Sequence, residues 1–418
     1  MSKGIHVTSE IGKLKKVCLH RPGNELLNLP PFELDRLLFD DVPFLKVAQE
    51  EHDAFAQILR DNGVEVLYLE DLVAEAFTAH PEAREEFLNT YMDETGIRNK
   101  DLKAAVREYL DSFEDHREFV DHTMAGIAKT EMEMPAGASS TLAALTLGAD
   151  DDSDLIVDPM PNLYFTRDPF ACVGNGVNLN RMYSVTRNRE TLYGKMVFEY
   201  HPDYCDTPLW FNRDVRGSWT EGGDVLNLNN HALAVGISQR TTAEAIDIMA
   251  NNMFWHGDGC EIKEIYAFNI PVNRAMMHLD TVFTQIDVNK FTIHPAIQGT
   301  LQVFKLTKGA QEGEVKIEEM NDKLENILGK ALGRDDVQIL PCGAGDPIAA
   351  AREQWNDGAN TLAIAPGKIV VYQRNNVTND FLYKNGLDLQ IMPSAELSRG
   401  RGGPRCMSMP FWREDVKW

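Results

Sequence analysis

The pattern that most restricts this chain's fold is one that returns along its length: a helix-period stretch, a glycine stop, then a short strand of alternating apolar residues. A helix over 47–60 ends at Asn62-Gly63, and Val64, Val66 and Tyr68 then alternate as a strand. The same order recurs with a helix from 241 to about 255 before a strand at 262–268, and with a helix over 317–332 before a strand at 337–340. A further copy runs over 377–384, stops at Asn385-Gly386 and continues as a strand at 387–392. Strands also precede the later helices, at 232–237, at 281–287 with 290–294, and at 361–365 with 368–374 around Pro366-Gly367. A short strand at 16–20 opens the chain. The unit is therefore roughly β-β-α-β, and its return without sequence identity predicts a pseudo-symmetric α/β array, either an open sheet or a ring.

One stretch departs from this pattern. Between about 71 and 152 the apolar residues repeat helically: Leu102, Val106, Tyr109 and Phe113 share a face, as do Phe87 and Tyr91, and Pro81 suits a first helical turn. This predicts an all-helical insertion over 72–152, with 1–71 and 153–418 forming one discontinuous α/β domain. Pro135-Ala136-Gly137-Ala138-Ser139-Ser140 reads as a flexible bend, and Asp150-Asp151-Asp152 as the return to the main fold. From 70 to 154 there are 21 acidic against 7 basic side chains, which reads as a solvated surface, with a docking face as the alternative.

Charge and composition exclude several classes of function. A formal charge of -23 repels phosphate backbones, so no nucleic-acid partner is expected. No run approaches the roughly eighteen apolar residues of a membrane span, and the first ten residues lack the apolar core of a signal peptide. The six cysteines are scattered without a C-x-x-C pair, against a zinc ribbon or a disulfide framework. A cytoplasmic protein with reduced thiols is expected, as a homo-oligomer.

Four polar clusters fall at the ends of expected strands, where such folds place function. Gly400-Arg401-Gly402-Gly403-Pro404-Arg405-Cys406-Met407 sets one thiol after three glycines and close to two arginines, whose charge favours a thiolate nucleophile. A small buried hydrophobe is the plainer reading of the same cysteine. Asn162-Leu163-Tyr164-Phe165-Thr166-Arg167-Asp168 reads as an aromatic strand ending in a carboxylate. Glu221-Gly222-Gly223-Asp224 sets two carboxylates across a glycine pair, and His278-Leu279-Asp280 points two polar groups to one side if extended. Singly, these fit a turn aspartate, an acidic turn and a core histidine equally well. Together they suit a guanidinium substrate. Asp168 and Asp280 can clamp its planar face of donors while Cys406 attacks the central carbon, and His278, oriented by Glu221, can protonate departing ammonia and then activate water.

These residues also carry a family resemblance. Leu38-Phe39-Asp40-Asp41, Phe165-Thr166-Arg167-Asp168, Glu221-Gly222-Gly223-Asp224, Met277-His278-Leu279-Asp280-Thr281 and the run from Arg399 to Met407 resemble arginine deiminases in order and spacing over essentially the whole chain. The resemblance implies a pseudo-fivefold α/β propeller of five β-β-α-β modules with a helical domain inserted after the first, the fifth module involving about 162–200. It implies hydrolysis of free L-arginine to L-citrulline and ammonia through a covalent amidino intermediate on Cys406, as the first step of arginine catabolism, without cofactor or metal. Asn162, Arg187 and Arg240 then resemble the grip on the substrate carboxylate, Leu38 and Asp41 its neighbours, and Arg401 a mobile loop residue closing the site. Phe165 and Asp224 are counted with the substrate-binding residues. An amidinotransferase or a dimethylarginine hydrolase of the same superfamily is the nearest rival, a peptidyl-arginine deiminase a more distant one. An inactive binding or scaffold relative is the alternative from another class.

Overall fold

The computed structural model describes residues 3–139, 154–257, 259–271, 277–297 and 300–418. Among these, five small sheets repeat one local topology: a central strand pairs antiparallel with one neighbour and parallel with a second, reached through a helix. In the first, Leu14–Leu19 lies between Glu65–Tyr68, parallel and joined through the helix Leu45–Asp61, and the C-terminal strand Met409–Arg413, antiparallel. The second joins Phe170–Val173, Gly176–Leu179 and, after the helix Thr191–Tyr200, Leu209–Phe211. This is the module expected around 162–200. The third uses Val225–Asn229, Ala232–Ile237 and Glu264–Asn269; the fourth, Phe283–Gln285, Lys290–Ile293 and Gln338–Pro341; the fifth, Leu362–Ala365, Lys368–Tyr372 and Asp388–Met392.

The stop signals act as chemistry requires. Gly63 and Gly386, which follow helix ends, take φ of 76° and 87°, values that side chains with a Cβ rarely adopt. Three readings are corrected. The stretch 317–332 is not one helix: Val315–Lys323 is a strand paired with Thr300–Lys308 in a long hairpin at the edge of the third sheet, and only Leu324–Leu332 is helical. That strand is mostly solvent-exposed, so polar residues fill both faces and blur its period of two. The segment Asn162–Asp168 is a series of turns, not an aromatic strand. Leu279–Val282 is a single helical turn, so His278 and Asp280 are not strand neighbours. A helix at Pro347–Trp355, N-capped by Asp346 with Pro347 in its first turn, is additional.

The acidic stretch is mainly helical, with Leu69–Ala79, Pro81–Glu94, Lys100–Asp111 and His116–Ala125, but not all-helical as expected: Ile127–Ala128 pairs antiparallel with Leu155–Val157. Pro81 opens the second helix, while Asn99 and Asp115 cap the third and fourth by accepting backbone N–H bonds. Phe77, Phe87 and Phe119 pack edge-on with centroids 5.6 to 6.0 Å apart. Their cluster runs on into Phe170, Tyr193 and Phe198 of the second sheet's module, so helices and sheets share a core. The expected bend holds a short 3-10 turn at Ala136–Ser139; Ser140 and the return at 150–152 lie outside the described residues.

Candidate active site

A chamber of about 470 Å³ opens among the five sheets' connections, and its floor is the turn carrying Cys406. The glycines of that turn permit close approach. A Cβ on Gly402 would lie 2.3 Å from the Phe165 ring and one on Gly403 2.3 Å from the Asn360 carbonyl oxygen. The turn is pinned on both sides of the thiol: Cys406 N–H donates to Asn360 Oδ1 at 3.2 Å, and its carbonyl accepts from Arg167 N–H at 3.1 Å. Sγ lies 3.5 Å from Asp280 Oδ2.

The two arginines beside Cys406 do not make it a thiolate. Arg405 points inward, donating to Asp280 Oδ2 at 2.8 Å and to both oxygens of Glu10 at 2.9 and 3.1 Å. Arg401 pairs with Asp40 at 3.3 Å and lies over the Trp355 ring, 3.6 Å from its centroid. Burial therefore dominates and, with Asp280, Asp168 and Asp357 adding to it against Arg405, pushes the Cys406 thiol well above its ordinary pKa. At neutral pH the cysteine is a thiol.

His278 faces the chamber from the residue before the helical turn, whose first N–H donates to Asp224 Oδ1 at 2.8 Å. Its Nε2 lies 2.8 Å from Glu221 Oε2. The 3-10 turn Gly222–Asp224 presses against this ring, since a Cβ on Gly223 would come within 2.7 Å of it. Burial lowers the imidazole pKa, but Asp168, the hydrogen bond to Glu221 and Asp224 outweigh it and raise His278 to about 9. Glu221 shows the reverse balance: burial opposes ionisation, yet Arg240, His278 and Arg187 hold it well below the usual carboxylate range. The pair is imidazolium and carboxylate at neutral pH.

The chamber's acceptors and donors are unevenly used. Asp168 Oδ2 accepts from Arg187 at 3.1 Å and Asp280 Oδ2 from Arg405, while Oδ1 of each is buried without a hydrogen-bond partner. Arg187 is forked onto Glu190 at 2.9 and 2.8 Å. Arg240 reaches Glu221 at 3.4 Å, and its buried Nε has no acceptor. These two oxygens and this nitrogen can take a ligand's complementary groups.

Cys406, His278, Asp168, Arg187, Arg240, Asn162, Phe165, Leu38 and Arg401 all line this chamber, and Glu221 and Asp280 stand directly behind it. Two expected residues do not. Asp224 is spent on Leu279 N–H and on Ser238 Oγ at 2.7 Å, and burial first pushes it up to about 7. Asp41 pairs with Arg399 in an adjoining cavity of about 1110 Å³, while Asp40 lines both cavities. Sequence reasoning missed Glu10, Asn360 and Asp40; only Asp40 stood inside a quoted motif.

Asp168, Glu221 and His278 offer three ligand atoms within 4.8 Å of one another, the spacing of a cation site. Arg187 and Arg240 already stand against those carboxylates and Nε2 is used on Glu221, so a divalent ion would have to displace two guanidinium groups. The donor set does not suit a resident metal.

A sequence model of the arginine deiminase family matches residues 35–413. An arginine deiminase of Treponema denticola is 54% identical over 99% of both chains, and one of Streptococcus gordonii 55% identical, also over 99% of both. Among solved structures, an amidinotransferase of Microseira wollei in a saxitoxin biosynthetic pathway superposes with a TM-score of 0.54 at 14% identity, covering 99% of this chain and 98% of its own. At that identity the likeness speaks to the mixed α/β fold alone.

Proposed function

The chain belongs to the arginine deiminase family, and from that premise we propose how its residues convert L-arginine to L-citrulline and ammonia. The observation that carries the reading is the pair of orphaned oxygens, Asp168 Oδ1 and Asp280 Oδ1, beside a buried thiol. A guanidinium is planar, permanently charged and rich in N–H donors, and it satisfies both oxygens at once. Its positive charge also offsets the carboxylates that hold Cys406 as a thiol. With a cation next to Sγ the thiol gives up its proton to solvent, while the Asp280 carboxylate stays paired with the guanidinium. The thiolate adds to the guanidinium carbon. Imidazolium His278 then protonates the departing nitrogen, ammonia leaves, and an amidino group remains on sulfur. Neutral His278 removes a proton from water, which adds to the same carbon. As the carbonyl forms, the hydroxyl proton is lost, the C–S bond breaks with its electron pair on sulfur, and citrulline leaves. Glu221 keeps the imidazole oriented throughout.

Arg187, Arg240 and Asn162 take the substrate carboxylate in this reading, with Arg240 Nε as an unused donor. Arg240→Ala is expected to raise KM for arginine about tenfold or more, the worth of a hydrogen bond to a charged group, and to leave an analogue lacking the carboxylate nearly unaffected. Equal losses for both would remove Arg240 from this role. Chelation is expected to leave the rate unchanged, because guanidinium groups hold the candidate ligands. Activity lost in EDTA and restored by one metal would contradict that.

Incubation with arginine tests the whole proposal: citrulline and ammonia should form in equal amounts without an acceptor. Turnover that requires glycine or ornithine would point to amidine transfer instead. Leu38 and Phe165 line the same chamber and belong with the substrate-contacting residues, and Arg401 with its closure. Two features support a five-module propeller. The topology repeats in five sheets, and Met409–Arg413 completes the first sheet from the far end of the chain. The division into 1–71 with 153–418 and a helical 72–152 follows the same reading. So does a cytoplasmic homo-oligomer without nucleic-acid or membrane partners. The charge of -23 and exposed Phe32, Phe44, Ile348 and Trp355 support it, and no described helix is long and apolar enough to cross a membrane.

A further inference from the structure

Behind the nucleophile lies a row of buried charges of which the reaction scheme uses only Asp280. Glu10 reaches inward from the segment before the first strand, anchored by Glu10 N–H donating to the Asn227 carbonyl at 2.7 Å and by Asn227 N–H donating to Oε1 at 3.0 Å. Its two oxygens hold Arg405 Nε and one terminal nitrogen at 2.9 and 3.1 Å. The other terminal nitrogen of Arg405 holds Asp280 at 2.8 Å, and that same Asp280 oxygen lies 3.5 Å from Cys406 Sγ. The three charged residues are 6%, 1% and 0% exposed, so water screens none of them.

Such a row has both a geometric and an electrostatic consequence. An arginine bound to Asp280 alone would fix its position but cancel the negative charge that a guanidinium needs. With Glu10 on its other side, the arginine braces Asp280 and the row keeps one net negative charge. We propose that Glu10 is a positioning residue for the reaction: it neutralises and clamps Arg405, so that Asp280 is held in place with its field intact and Cys406 remains an unreactive thiol until a cationic guanidinium arrives. This rests on the proposed role of Cys406. Glu10 is suited to the task because it stays ionised: burial opposes its charge, but Arg405, Arg167 and Arg413 face it and hold it at about 2. The charges facing Cys406 are Asp280, Asp168 and Asp357 against Arg405 and Arg167, with the buried phenols of Tyr164 and Tyr372 also near.

The test is the pH dependence of Cys406 alkylation by iodoacetamide, a neutral probe, in the free enzyme, read at that residue by mass spectrometry with Cys406→Ala as the blank. Glu10→Gln removes the charge and keeps the shape. Its alkylation midpoint should fall by about one pH unit, the effect of a unit charge two ion pairs away at an effective dielectric near 20. KM for arginine should rise about tenfold, because the row has become neutral. Glu10→Asp keeps the charge and shortens the clamp, so its midpoint should stay near that of the unaltered chain while kcat falls. An unmoved or raised midpoint in Glu10→Gln, or equal shifts in both variants, would overturn the proposal. If Glu10→Gln does not fold, Glu10→Asp decides alone, with a displaced midpoint or an unchanged kcat as the contrary result. Should Cys406→Ser retain turnover, the nucleophile assignment fails while the alkylation midpoints still read the field at the thiol, so the two failures are separable.

Discussion

Cys406→Ser is expected to yield a folded protein that forms no citrulline, a loss of about four orders of magnitude or more in kcat. Serine fills nearly the same space and its hydroxyl can keep the sulfur's contact with Asp280, so stability should change by only about 1 kcal/mol. A neighbouring guanidinium favours ionisation of a thiol but not of an alcohol, whose pKa lies several units higher. The variant should therefore bind arginine and stop. Stopped-flow quenching followed by mass measurement should find the amidino adduct on the unaltered chain and none on the variant, while thermal unfolding of the two coincides. A variant that still produces citrulline would end the covalent scheme.

Glu221→Gln should have the second largest effect, and it acts through His278. Burial lowers that imidazole's pKa, and the carboxylates around it raise the net value to about 9. The imidazolium is thus present through neutral pH, and the rate of the unaltered enzyme should fall as pH rises through about 9. Without the Glu221 charge the proton leaves sooner. The alkaline limb of kcat should move to lower pH, with kcat reduced about a hundredfold or more at neutrality, the usual contribution of a positioned acid. An unmoved alkaline limb would show that another group supplies the proton. The same shift has a thermodynamic side. A group whose folded pKa is raised contributes stability that is complete below its unfolded value near 6.5 and fades as pH climbs through about 9. The unaltered chain should lose that contribution over the alkaline range, and Glu221→Gln should lack the share that Glu221 adds to that of Asp168.

The modules were legible because each packs one face of a helix against strands of alternating apolar residues, and Gly63 and Gly386 end those helices where the backbone must turn left-handed. The hairpin Thr300–Lys308 with Val315–Lys323 was not. Its outer strand is exposed, so nothing in its apolar pattern separates it from the helix that follows. The helix Pro347–Trp355 did carry a local signal in Asp346-Pro347, but its apolar residues are few and Ile348 and Trp355 point to solvent. At the site, Asp168, Glu221, His278 and Cys406 stand in short motifs whose residue types state their chemistry. Glu10 and Arg405 are 395 positions apart, and no local pattern marks a pair joined only by the fold. Asp40 and Asp41 are adjacent carboxylates, and only the direction of the loop decides which one reaches the chamber.

The first sheet holds its central strand, Leu14–Leu19, between a near neighbour and a strand from the other end of the chain. During synthesis that central strand must wait, one edge open, for a partner made almost four hundred residues later, and loops of that size close slowly. Until then its apolar residues and unpaired backbone are a template for pairing with another nascent chain. The same late strand follows directly on the turn that carries the thiol. Deimination therefore cannot begin from a partly folded intermediate, and recovery of activity during refolding should time the last docking event, not the collapse of the modules.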